Sequence, residues 1–143
     1  MANAIPDLWP DIEQSKDVLP VAILREQAAA LGKKTGHLLE GRVNTRTDED
    51  GNFNHSFYVV APTLDNYSYR LISITHGAEP YPITVPDPQI IDPGARSFRI
   101  PSVHGTLRIS SEKELLDYLR EVLNSEKTMR IVGSLLAQVK AAT

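Results

Sequence analysis

The 143 residues suffice for one domain, long enough to bury about two-thirds of the surface its unfolded chain exposes. Apolar residues at 41% and charged residues at 23% exclude a disordered polymer, and a formal net charge of −3 excludes a general attraction to phosphate backbones or anionic membranes. There is no cysteine, which excludes disulfides and thiolate chemistry and leaves histidine and carboxylate as the only metal ligands.

The opening "MANAIPDLWPDIEQ" has neither the basic nor the apolar region of a secretory signal, and apolar runs stay far short of the ~20 residues that span a bilayer. The chain is therefore expected to be cytoplasmic. Pro6, Trp9 and Pro10 make residues 1–17 an expected extended arm, with Leu8, Trp9 and Ile12 docking it on the body. Residues 18–143 are expected to form a single domain. In "LPVAILREQAAALGKKTG" Pro20 suits a first helical turn, and Ile23, Leu24, Gln27, Ala28 and Leu31 give a mostly apolar stripe at helical spacing. Lys33 and Lys34 complement the end of the helix dipole, and Gly36 is a natural stop.

The pattern then switches to period two. "HLLEGRVNTRT" sends Leu39, Gly41 and Val43 to one side and Glu40, Arg42, Asn44 and Arg46 to the other, which predicts a strand with one solvated face. A three-residue loop Glu49-Asp50-Gly51, with Gly51 left-handed, sets Val43 opposite Phe57. A two-residue Asp50-Gly51 turn would instead set Val43 against Tyr58, off the buried face. The next hairpin is expected to turn on Asp65-Asn66 alone. Phe57 then faces Ile74, Val59 faces Ile72, and His55 falls opposite His76.

Between residues 79 and 101 lie Pro80, Pro82, Pro86, Pro88, Pro93 and Pro101, so "YPITV" and "SFRIPSV" are expected to be short edge strands at most, with "DPGA" at 92–95 a turn. After Gly105 the pattern turns helical. Ser111 and Glu114 form a capping box ahead of Leu115, Leu116, Leu119, Val122 and Leu123. Asn124-Ser125 breaks and re-caps the chain before a last helix with Met129, Ile131, Val132, Leu135, Leu136 and Val139, in which a close helix approach would explain Gly133. The expected fold is α+β: an antiparallel meander of three to five strands, packed on one face by an N-terminal helix and two C-terminal helices.

Candidate chemistry is sparse. His55 and His76 could border a pocket or hold part of a metal site, but zinc needs a third ligand and no Asp or Glu shares their face; Thr45 and Thr47 are the nearest polar residues. Two partly exposed histidines closing off a hydrophobic face explain the pattern as well, and we weight that account higher. His37 and His104 are distant in sequence, and Ser102 before His104 is too common a pairing to count. Asp65, Asn66, Tyr67, Tyr69 and Arg70 cluster at a hairpin tip, where tyrosine and arginine suit a contact surface; turn chemistry and cross-strand packing explain them too. The proline-rich segment could cover a pocket, carry Tyr81 and Ile83 to a partner, or wrap the sheet edge.

No phosphate-binding glycine loop, nucleophile elbow or H-E-x-x-H motif occurs, and no cofactor is implied. "VAPTLDNYSYRL" and "SEKTMRIVGSLLAQ" resemble segments of small bacterial proteins without attaching a family. The expected function is a non-catalytic protein-interaction module such as an adaptor, inhibitor or immunity-type protein. A small-ligand-binding domain or hydrolase-like enzyme with a pocket near His55 and His76 is the alternative, and a homo-oligomer through the last helix is a third. The expected partner is a protein or a second copy, with no nucleic acid and no membrane.

Overall fold

The computed structural model describes residues 4–86 and 107–142. The expected "SFRIPSV" strand, the turn at 92–95, His104 and most of the proline-rich segment lie outside them. Pro20 opens the first helix, α1 (Pro20–Lys34), where its missing N–H would have had no partner. Lys33 and Lys34 close it beside the negative end of its dipole. The chain reverses through Gly36 and His37, both left-handed at φ of 59° and 64°. Thr35 locks this corner, its hydroxyl 3.0 Å from the carbonyls of Leu31 and Leu39 while it accepts the Leu39 N–H at 3.1 Å.

The described strands β1 (Glu40–Thr47), β2 (Phe53–Ala61), β3 (Tyr67–His76), β4 (Ile83–Val85) and β5 (Leu107–Ile109) form one antiparallel sheet in chain order. Val43 lies opposite Phe57 as the loop chemistry implied, with Gly51 at φ 81° and its N–H bonded to the Asp48 carbonyl at 3.1 Å. Glu40, Arg42, Asn44 and Arg46 face solvent.

The next register differs from expectation. His55 lies opposite Ile74, Phe53 opposite His76, and Phe57 opposite Ile72. Pro62 lacks the ladder donor, so β2 ends at Ala61 and a 3-10 turn (Pro62–Leu64) leads into Asp65 and Asn66, both left-handed at 57° and 56°. The connection is thus longer than two residues. A bulge then leaves Leu71 unpaired, because Phe57 meets Ile72 but Tyr58 meets Arg70. Both Leu71 and Ile72 consequently turn inward and are buried.

β4 is not an edge strand, for it lies between β3 and β5 with Ile83 and Val85 buried. The helical pattern begins later than Gly105: Leu107–Ile109 is strand, and α2 spans Glu112–Leu123. A three-residue strand carries two inward side chains, too few to announce a period. Ser111 caps α2 by accepting the Glu114 N–H at 3.2 Å, while Glu114 Oε1 accepts from Ser110, one residue earlier than in a standard box. Ser125 starts α3 (Glu126–Ala141) by accepting the Thr128 N–H at 3.2 Å.

One face of the sheet meets all of these helices. Phe57, Val59, Ile72 and Ile74 pack with Ile23 and Leu24 of α1, Leu115, Tyr118, Leu119 and Val122 of α2, and Leu135 and Val139 of α3. Each such apolar side chain contributes ~1.5–3 kcal/mol relative to exposure. Burial also pushes the Tyr118 phenol up to about 12, so it stays neutral in the core. Ile131, Val132 and Leu136 are partly buried against the same core, which accounts for the wide apolar stripe of α3.

Gly133 is not at a close approach. It is exposed, and a Cβ there would meet nothing within 4 Å. Gly133→Ala is accordingly expected to raise stability by about 0.5–1 kcal/mol. The measurement is the urea midpoint, and a lower midpoint in the variant would contradict this account.

Residues 4–19 form neither helix nor strand. Leu8, Trp9 and Ile12 do not dock on the body; they stay 84%, 75% and 77% exposed.

Candidate functional site

His55 and His76 do meet, although not as direct opposites. The corrected register moves them two positions apart and preserves parity, so both still project from the core face as diagonal neighbours within reach of long side chains. Their rings lie 4.9 Å apart, and the two Nε2 atoms are 2.9 Å apart. Phe53, directly opposite His76, stacks along His55 at 6.5 Å and tilts against His76 at 5.5 Å.

The outer bonds fix the direction of the whole chain. His76 Nδ1 lies 2.8 Å from the Gly77 carbonyl, which can only accept, so His76 carries its proton on Nδ1. Its Nε2 then accepts, and His55 Nε2–H donates to it. That leaves His55 Nδ1 as an acceptor for the Thr45 hydroxyl at 2.8 Å. All four ring nitrogens are satisfied with both imidazoles neutral. Burial at 4% exposure, followed by the neighbouring charges of His76 and Arg25, pushes His55 down to about 4, so His55 stays a neutral imidazole at neutral pH.

A cavity of about 370 Å³ opens beside the pair. Leu19, Pro20 and Val21 wall it from the start of α1, with Phe53, Ala78 and Pro80 on the sheet side. Its polar lining is Arg25, Thr45, His55 and His76, without an Asp or Glu. The helix end at its rim is uncompensated too: Leu19 offers no side-chain cap, and the first turn of α1 holds no acid. Among the described residues no group of three or more His, Cys, Asp or Glu could hold a metal, so the pair is one ligand short of a zinc site.

No family model, curated protein or solved structure matches this chain. The geometry alone must carry any functional reading. No helix among the described residues is long and apolar enough to cross a membrane.

The residues expected to share a contact surface separate into two places. Asp65, Asn66, Tyr67 and Arg70 are exposed at the tip of the second hairpin, whereas Tyr69 packs partly against the core. Tyr67 and Tyr69 border a recess of about 300 Å³ with Arg130 and Gln138 of α3. Tyr81 lies beyond the other end of β3, its hydroxyl 3.5 Å from the Val18 carbonyl. Burial, then Glu112 and Asp17, raise its pKa. A further recess of about 360 Å³ lies between Leu31, Phe57, Leu71, Leu123 and Val132, and Lys34 is its one charged lining residue.

Sequence reasoning missed Arg25, and it foresaw the arm but docked it on the body. Arg25 follows Val21 by one helical turn, so the shared wall was implicit in the spacing once α1 was placed over β1. The arm had no such signal, because an apolar period does not say which body receives it.

Proposed function

We propose that this chain is a non-catalytic protein-interaction module of the cytosol, acting as an adaptor, inhibitor or immunity-type protein, and that residues 4–17 engage its partner. One observation carries the reading: Ile5, Leu8, Trp9 and Ile12 are 89%, 84%, 75% and 77% exposed on a segment clear of the core. Single apolar residues on a surface are ordinary, but Leu8 and Trp9 stand four and three residues before Ile12, the helical spacing by which short segments seat one side in an apolar groove, with Ile5 just ahead of them. The Trp9 N–H already donates to Asp7 Oδ1 at 3.1 Å, the bond an N-cap aspartate makes to the second residue of a helix. Pro10 would then fall in the first turn, where no amide partner is needed, so Leu8 to Ile12 can wind into a turn on docking.

The arm also carries Asp7, Asp11, Glu13 and Asp17 against Lys16. The partner that suits it has an apolar groove with a basic rim, and salt should weaken the encounter. Because the arm must become ordered, its affinity per area is expected to be low.

The test compares three forms of the tagged chain in quantitative capture from its source lysate: wild type, Leu8→Ser/Trp9→Ser, and Tyr67→Ala/Arg70→Ala. A stoichiometric partner lost only in the arm variant supports the reading. A partner lost only in the hairpin variant moves the surface to the second hairpin. No stoichiometric partner in any form, with a monomer by light scattering, rejects the interaction reading.

A further inference from the structure

We propose that the cavity beside the histidine pair binds a small organic monocarboxylate with a compact apolar body, and that binding brings one solvent proton onto the His55–His76 pair. This does not rest on the interaction reading, since the arm takes no part in it. The volume of about 370 Å³ falls at the small end of ligand pockets, and the walls are mostly apolar, which fixes the size and body of the occupant.

Its charge follows from the lining. Among the described residues the titratable or charged groups facing the cavity are Arg25 from α1, His55 from β2 and His76 from β3, while β1 contributes Thr45. Arg25 is exposed, and no ion pair is formed by it among those residues. A guanidinium offers the planar fork that a carboxylate matches with two parallel bonds. A cation, by contrast, would meet an arginine and no compensating acid.

The hydrogen-bond chain supplies the coupling. With the pair neutral, the Thr45 proton is committed to His55 Nδ1. When the pair gains a proton, His55 Nδ1 becomes a donor and Thr45 Oγ1 its acceptor, while His55 Nε2–H still donates to His76 Nε2. The Thr45 hydroxyl hydrogen is thereby released to point into the cavity. An anion held by Arg25 then accepts from Thr45 and offsets the new imidazolium charge, so anion and proton favour each other's binding. The lowered proton affinity of His55 is consistent with this, because burial, with His76 and Arg25 beside it, disfavours its cation unless an anion is held alongside.

The experiment titrates the full chain with sodium benzoate, followed by amide and imidazole chemical shifts, with benzamide as the neutral match. Benzoate is expected to shift Val21, Arg25, Thr45 and His76 and to bind more tightly as pH falls from about 8 to about 6. Calorimetry in two buffers of different ionisation heat should give about one proton taken up per benzoate. Arg25→Gln should weaken binding ~10-fold or more, as should Thr45→Val, whereas Thr45→Ser should retain it. Arg25 and Thr45 are both exposed, and Thr45→Ser keeps the hydroxyl that pairs with the buried His55 Nδ1, so it separates loss of the bond from loss of the threonine methyl. Equal binding of benzamide, affinity indifferent to pH, or no shift at these residues with millimolar benzoate would each overturn the proposal.

Discussion

Gly41→Val is expected to be among the most destabilising single substitutions in the chain. Gly41 sits in β1 directly beneath α1, and a Cβ added there would meet the Ala28 Cα, come within 2.6 Å of the Ala28 Cβ and reach 3.1 Å from the Ala28 carbonyl oxygen. Carbon atoms pack at about 3.5–4.0 Å, so the helix backbone itself would have to move. No flexible side chain can yield instead. Lifting α1 strips Ile23 and Leu24 from the core, where they are 6% and 0% exposed. The loss should be ~3 kcal/mol or more, a large share of a typical margin of 5–15 kcal/mol. Gly41→Ala should fall the same way by a smaller amount, opposite in sign to Gly133→Ala. Urea unfolding of both alanine variants tests this directly, and a Gly41→Ala midpoint at or above wild type would refute the close contact.

Acidification should weaken the fold through His55. Its folded pKa is held near 4 against an ordinary 6.5, so between these values the unfolded chain takes up a proton that the folded chain refuses. Stability is therefore complete above about 6.5, declines as pH falls, and has lost about 3 kcal/mol once pH is below 4. About 2 kcal/mol of this should be gone at pH 5, before most carboxylates titrate. His55→Gln removes the titrating group and should flatten the decline between pH 7.5 and pH 5, even if the variant is less stable throughout. An unchanged slope would assign the acid sensitivity elsewhere.

The helices and the first hairpin were legible because several local signals agreed there. Pro20, Lys33-Lys34 and the Ser111 and Ser125 caps bound the helices, and Gly51 together with Val43 and Phe57 specified one register. The second hairpin misled because Asp65-Asn66 resembles a complete turn, while Pro62 had already ended the strand and Leu71 added a bulge. The histidines nevertheless came together, since a shift of two preserves which face a side chain occupies. β5 was hidden by its brevity. A pocket beside the two histidines was anticipated, but its polar lining was not: Arg25, Thr45 and His76 come from three elements whose junction exists only after α1 packs on β1.

The position of the single tryptophan has a practical corollary. Trp9 is already 75% in contact with solvent in the folded chain, so melting the core changes its surroundings little. Indole emission should thus be nearly blind to unfolding, and the stability comparisons above need circular dichroism or tyrosine signals instead. The same blindness makes it a clean optical reporter: a blue shift of that emission would register the arm entering an apolar site, with no background from the body of the protein.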